Sequence, residues 1–279
     1  MASVVGRQSK IVQFRCNRCF RDAPNLANQQ VPYENIPESR NGTMKYLDHT
    51  CGAGAENLAW DEALLEWCEK TDNDEVLRFY EPQSYFVVLG YGNHARRETR
   101  FDACRSAGIP ILRRCSGGGT VLQGPGCLNY ALILRADSSE TASIPAANRY
   151  IMERNRGLLQ SMLLGEVHMQ GHTDLTWNGR KFSGNAQRRK RRFFLFHGTI
   201  LHRFDLAAVD RWLARPSVEP DYRQGRTHAD FLTNVPVAVE VLKSGLRESW
   251  GATDILTHVP DWKELMKERY GREEWNLRF

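Results

Sequence analysis

Several things are missing from this chain of 279 residues. It nowhere offers eighteen consecutive apolar residues, which excludes a membrane-spanning helix. It has no secretory h-region. Two common phosphate loops, G-x-x-x-x-G-K-[ST] and G-x-G-x-x-G between strand and helix, are both absent. Its seven cysteines are an odd number with no regular spacing, the usage of a reduced, intracellular protein. Cys16 and Cys19 form a lone C-x-x-C with no further ligands at zinc spacing, so no metal site is expected. From residue 128 to 279 there is no cysteine at all. One-signed charge is scarce as well. The formal net charge is +5, and residues 1–45 alone contribute +4, so the remainder is nearly neutral. That balance argues against a general nucleic-acid binder.

What is present is concentrated in two elements. The first is Arg113-Arg114-Cys115-Ser116-Gly117-Gly118-Gly119-Thr120, set between the β-like runs 109–113 and 128–134. Backbone without side chains can approach a polyanion closely, with its N–H groups turned inward. A flexible hairpin tip is the plainer reading of the glycines alone. The second element lies about sixty residues later and runs from Asp174 to Gln187, followed by His197-Gly198-Thr199. Asn178-Gly179 between two β-like runs predicts a type I′ hairpin. Alternation beyond that turn puts Lys181 and Ser183 on one face and Phe182 on the other. A lysine held on a stiff strand can meet a phosphate as a point charge, although an ordinary exposed lysine would look the same.

The rest of the chain supplies a frame. Residues 1–43 read as a polar, basic leader, expected to be disordered; a mitochondrial transit peptide is the alternative to a cytoplasmic protein. Trp60, Leu64, Trp67 and Cys68 fall on one helical stripe within 56–70. Strands are expected at 76–80 and 85–89 around a Glu-Pro-Gln-Ser turn. Helices are expected at 97–107, 145–164, 205–214, 237–250 and 261–270. The loop 90–94 borders the pocket or is a plain turn. Tyr222, Arg223, Arg226 and His228 either close over a ligand or form a surface turn. The basic run 188–192 is either a solvated hairpin tip or a dock for an acidic carrier.

Taken in order, Arg113-Arg114-x-Ser116-Gly-Gly-Gly, Gly179-Arg-Lys181-Phe-Ser183-Gly184-Asn-Ala186 and His197-Gly198-Thr199 resemble the lipoate–protein ligase family of the biotin/lipoate ligase group. Residues 56–65 and 77–90 extend the resemblance more loosely. It implies an α+β fold, a mixed β-sheet flanked by helices, like the catalytic domain of biotin/lipoate ligases and class II synthetases. That domain would cover 44–235, with 236–279 as a short helical C-terminal extension.

The implied reaction joins lipoate or octanoate to ATP (with Mg2+) as an acyl adenylate, then moves the acyl group to a lysine of a lipoyl carrier domain. The carrier would belong to a 2-oxoacid dehydrogenase or be a glycine cleavage protein. By the same resemblance Lys181 contacts the acyl phosphate. Arg114, Ser116, Gly117, Gly118, Gly119 and Thr120 line the acyl and nucleotide pocket. Asn129, Asp174, Ser183, Gly184, Ala186, His197, Gly198 and Thr199 match binding positions nearby.

The chain departs from the family at two points. Gln123 and Gly124 stand where many ligases carry His-Asp. Only about forty-five residues follow residue 235, too few for a sizeable independent core, so an accessory ligase subunit is a further candidate partner. The nearest rivals are the octanoyltransferases, which carry the acyl group on a cysteine without ATP. The cysteine-free stretch from 128 onward favours the ligase, and Cys115 and Cys127 are the thiols left beside the glycine loop. A non-catalytic carrier-binding subunit is the third alternative.

Overall fold

The computed structural model describes residues 44–279 except 73, 258 and 259. The expected leader and the Cys16–Cys19 pair lie outside the described residues. The apolar run 128–134 explains the architecture best, because a strand that is apolar on both faces must be covered on both. It forms the centre of an eight-stranded sheet. The strands are β1 (Met44–Asp48), β2 (Val76–Tyr80), β3 (Phe86–Leu89), β4 (Ile111–Arg113), β5 (Val121–Gln123), β6 (Cys127–Arg135), β7 (Val167–Gln170), β8 (Asp174–Trp177), β9 (Arg180–Arg189), β10 (Phe193–Leu201) and β11 (Ala252–Ile255). The large sheet runs β11-β1-β2-β6-β10-β9-β8-β7, and a smaller one runs β4-β3-β5. The β11–β1 and β1–β2 pairs are parallel, and every later pair in the large sheet is antiparallel. The chain is thus α+β with mixed sheets.

Each face of the large sheet has its own helices. Ile151, Met152 and Leu159 of helix Ile144–Met162, with Leu242 and Leu246 of helix Val239–Trp250, pack on Leu132, Phe194 and Phe196. Ser143 caps the first of these, its hydroxyl accepting from Ala146 N, with proline in the first turn. On the opposite face Trp60, Leu64, Leu65 and Cys68 of helix Gly54–Thr71 pack on Ala131, Ile133, Phe193 and Leu195. Residues of one strand, such as Phe194, Leu195 and Phe196 on β10, therefore serve alternate cores.

Three local expectations change. The helix expected at 97–107 is two short ones, Ala95–Glu98 and Phe101–Ser106. Thr99 between them is extended and bridges to Leu213, so a tertiary pairing interrupts a helical pattern. The strands flanking the Glu-Pro-Gln-Ser turn part company, β2 joining the large sheet and β3 the small one. The stretch 236–279 carries a strand as well as helices: β11 extends the large sheet beyond β1. From the same stretch Trp275 and Asn276 hold β4, with Asn276 Oδ1 accepting from Arg113 N and Trp275 Nε1 donating to Arg113 O.

The β8–β9 connection is the expected type I′ turn, with φ +50° at Asn178 and +76° at Gly179. Beyond it the register slips. Thr176 pairs with Lys181 while Leu175 pairs with Ser183, so Phe182 is the extra residue of a β-bulge. The bulge decides which side chains reach the site.

Candidate functional site

His197 on β10 lies opposite Ala186 on β9, and Thr199 lies opposite both Gly184 on β9 and Asn129 on β6. Directly paired residues share a face. These positions therefore form a polar row on the face covered by helix Gly54–Thr71, while Tyr130 and Asn185 point to the other.

The first cluster on this face is centred on His197. Its Nδ1 lies 3.0 Å from Asp61 Oδ2, and its Nε2 lies 2.6 Å from Ser116 Oγ. Asp61 is buried on helix Gly54–Thr71, and its other oxygen accepts from Arg78 Nη1 at 2.5 Å. Arg78 is itself fully buried on β2, stacked 4.4 Å from the Tyr80 ring centroid, and it also donates to Asn57 and to the His49 carbonyl. Nδ1 is placed to donate to the Asp61 carboxylate, and Nε2 shares one hydrogen bond with the Ser116 hydroxyl whose direction follows the imidazole tautomer.

The glycine loop lies above this row. Arg114 organises it: Nε donates to Ser116 Oγ and to Gly117 O, and Nη2 donates to Gly117 O and Gly119 O. Burial lowers the Arg114 pKa to about 10, which leaves it charged at neutral pH. Gly117, Gly118 and Gly119 are exposed, and among the described residues no group accepts from their amides. Gly118 has φ +88°, and a methyl built on it would stand 3.7 Å from the Ala186 Cβ. The neighbouring loop supports it. A methyl on Gly90 would stand 2.0 Å from Gly118 O, and Asn93 Oδ1 accepts from both Gly90 N and Thr120 Oγ1. Arg113 Nη1 donates to the carbonyls of Gly90, Tyr91 and Asn93. The loop 90–94 is therefore part of the site.

The second cluster is at Lys181. Its ammonium pairs with Asp174 Oδ1 at 2.9 Å, and Tyr222 Oη donates to Asp174 Oδ2 at 2.6 Å. A methyl on Gly184 would stand 2.8 Å from Lys181 Nζ. Gly184 lies beneath the ammonium and Ala186 beneath Gly118, on one strand and one face. The two contact points are therefore one strand repeat apart, ~7 Å. Between the clusters Gln123, Thr199 and Asn129 close a ring. Gln123 Nε2 donates to Thr199 Oγ1, Thr199 Oγ1 to Asn129 Oδ1, and Asn129 Nδ2 to Gln123 Oε1.

The structure does not bring Ser183 and Gly198 to this face. The bulge at Phe182 turns Ser183 over, and its hydroxyl accepts from Asn185 Nδ2 beside Met152. A methyl on Gly198 would collide with Asn185 Oδ1, again on the other side. The basic run is largely engaged within the chain. Lys190 pairs with Glu66, Arg192 pairs with Asp72 while its amide donates to the Glu69 carboxylate, and Arg189 donates to Thr141 O. Tyr222 and Arg226 latch onto the β8–β9 hairpin, Arg226 Nη1 donating to Gly179 O. Asp61 and Arg78 carry no local site signal in the sequence, whereas Gly90 falls in the loop expected either to border the pocket or to be a plain turn. The sequence signal available for Gln123 was its place at the family's His-Asp position.

Two cysteines border the site. Burial, with the Glu62 charge second, pushes the Cys115 thiol up to about 12, and burial pushes Cys127 higher still.

Residues 53–243 match the family model described as the lipoyl protein ligase A/B catalytic domain. The chain belongs to this family. Its relatives carry two kinds of name. An octanoyltransferase LipM of Carboxydothermus hydrogenoformans is 27% identical over 85% of this chain and 99% of its own length. Subunit 1 of a lipoate-protein ligase A from Thermoplasma acidophilum is 25% identical over 83% of this chain and 95% of its own. Among solved structures, the bipartite lipoate protein ligase of Thermoplasma acidophilum, described with its E2 lipoyl domain, superposes with a TM-score of 0.71. It shows 22% identity over 85% of this chain and 96% of the other. These likenesses give the lipoyl ligase A/B chain a biotin/lipoate ligase fold and place its chemistry in the ligase/transferase family.

Proposed function

We propose that this lipoyl ligase A/B chain transfers a lipoyl or octanoyl group to a lysine of a lipoyl carrier domain, holding the activated acyl group between Lys181 and the glycine loop. The observation that carries this is that the Lys181 ammonium sits against Gly184 and the glycine loop at Gly118 against Ala186, two residues along one face of β9.

Adenylate formation with ATP is the first entry to that reaction. Attack of the acyl carboxylate on an α-phosphate puts charge on phosphoryl oxygens. Positioned N–H donors and a cation stabilise such charge, and little covalent work falls to the protein. Lys181 would supply the cation and the amides of residues 117–119 the donors. A phosphate would compete with Asp174 for the ammonium. The Thermoplasma ligase subunit among the relatives supports this reading, as does the protonated state of the nearby thiols. The Thermoplasma assembly also motivates a carrier lipoyl domain and an accessory subunit as partners.

Transfer without ATP, from an octanoyl thioester, is the second reading. The octanoyltransferase name of the relatives that cover nearly their whole length favours it. One assay separates the two. Carrier domain is incubated with ATP and lipoate, and separately with an octanoylated carrier and no ATP. ATP–pyrophosphate exchange is followed in the first arm. Exchange with lipoylation supports the ligase, and octanoylation in the second arm alone supports the transferase. Failure of both arms, with and without a partner subunit, overturns the acyl-transfer function.

A further inference from the structure

A thioester-dependent transferase needs an acyl acceptor, and the thiols available here suit that role poorly. No cysteine follows residue 127, and burial holds both Cys115 and Cys127 in the protonated, weakly nucleophilic form. The site does contain an activated hydroxyl. Ser116 Oγ is 2.6 Å from His197 Nε2, and His197 Nδ1 is 3.0 Å from Asp61 Oδ2. This is the order of groups that makes a serine nucleophilic: hydroxyl, imidazole, buried carboxylate. Arg78 Nη1 donates to the other Asp61 oxygen and fixes its orientation. Arg114 Nε donates to the same serine oxygen and stabilises an alkoxide as it forms. The amides of the next three residues are exposed and have no acceptor among the described residues, so they are free to donate to an acyl oxygen.

We propose that Ser116 is a covalent acyl acceptor, taking a medium-chain acyl group from a thioester donor and passing it to the carrier lysine. The inference deepens the transferase reading above and rests on it. In the first half, Ser116 Oγ bonds to the acyl carbon and gives its proton to His197 Nε2. The C–S bond breaks, and the leaving thiolate takes that proton. In the second half, the lysine amine bonds to the same carbon and gives a proton to His197. The C–O bond breaks, and Ser116 Oγ is reprotonated. No oxidant, reductant or nucleotide is consumed. The hydroxyl is buried while residues 117–119 are exposed in this conformation, so acylation requires that glycine backbone to lift and to give up the Arg114 bonds to Gly117 O and Gly119 O.

The test uses the whole chain with an octanoyl thioester of acyl carrier protein, without ATP and without an acceptor domain, quenched in acid and mapped by peptide mass. The expected result is one octanoyl group on the peptide holding Ser116, resistant to neutral hydroxylamine and absent from Ser116→Ala. Ser116→Cys moves the same adduct onto sulfur and makes it labile to neutral hydroxylamine, which a purely structural serine would not do. Asp61→Asn, checked for folding by circular dichroism, slows acylation on the order of 100-fold or more by misplacing the imidazole proton. Transfer to the carrier lysine without ATP and without an adduct on Ser116 overturns this proposal and leaves the transferase reading standing. Lipoylation that occurs only with ATP overturns both and leaves the ligase.

Discussion

Two charged clusters share one face of the sheet, yet they are built differently. Around His197, every charge lies inside the protein and has a fixed partner. Arg78 is fully buried, Asp61 nearly so, and each is held by several hydrogen bonds. Around Lys181, the side chain is 22% exposed and its ammonium pairs with one carboxylate at 2.9 Å. The first cluster can hardly rearrange without leaving a charge unpaired in the interior. The second has an ammonium whose counter-ion a phosphate can replace. One site thus combines a preorganised proton-handling group with an exchangeable cation, and mutations should separate them into a stability-linked and a ligand-linked half.

Arg78→Met attacks the fixed half, and the largest effect is expected there. Removing one partner of a buried pair costs about 3–5 kcal/mol, because Asp61 stays behind without a cation. Urea unfolding should show that loss. A midpoint unchanged from the parent would mean that the pair is solvated and that the contrast between the clusters is false.

Lys181→Ala probes the exchangeable half. A partly exposed ion pair contributes only about 0–1 kcal/mol to stability. The unfolding midpoint should therefore barely move. Loss of a cation from the developing phosphoryl charge is expected to cost about 10²–10³-fold in acyl activation. ATP–pyrophosphate exchange reads this directly if the ligase entry operates. Undiminished exchange would remove Lys181 from the chemistry.

Much of this division was legible in the sequence, but unevenly. The glycine loop, the I′ hairpin and His197 stand out because Gly-Gly-Gly, Asn-Gly and His-Gly are local patterns. Asp61 and Arg78 do not, since each looks like an ordinary residue of an amphipathic helix or an edge of an apolar strand. Only the pairing of β2 with β6, and the packing of helix Gly54–Thr71 over it, brings them to His197. Ser183 illustrates the opposite error. Strict alternation placed it beside Lys181, and one inserted residue reversed it. Gly90 lies in the loop that the sequence leaves as either a pocket border or a plain turn, and its lack of a side chain is what admits Gly118 O.

Gly184→Ala sharpens the comparison at smaller scale. The added methyl would meet the end of the Lys181 side chain at 2.8 Å, a group that can swing aside. Stability should change by less than about 1 kcal/mol, with the ammonium displaced from its seat, which is expected to weaken activity about tenfold. Kinetics on this variant should show the loss when the acyl donor is varied. An equal loss on varying only the carrier domain would place Lys181 at the docking surface instead.

The smallest effect is expected from the thiols, and it bears on the whole contrast. With Cys115 pushed up to about 12, almost none of it is thiolate at pH 8, and Cys127 is held still higher. Native protein treated with iodoacetamide at that pH should keep both thiols unmodified by peptide mass and retain its acyl transfer. Cys127→Ala should retain activity within about threefold, because a buried thiol behaves as a small apolar side chain. Cys115→Ala is the stricter probe, since that thiol lies next to Ser116 and contacts Tyr270, which donates to Glu62. A cysteine that carried the acyl group would lose all transfer on this change. A neighbour that only packs leaves the reaction intact, and the chemistry then stays with the hydroxyl, imidazole and ammonium groups on the sheet face.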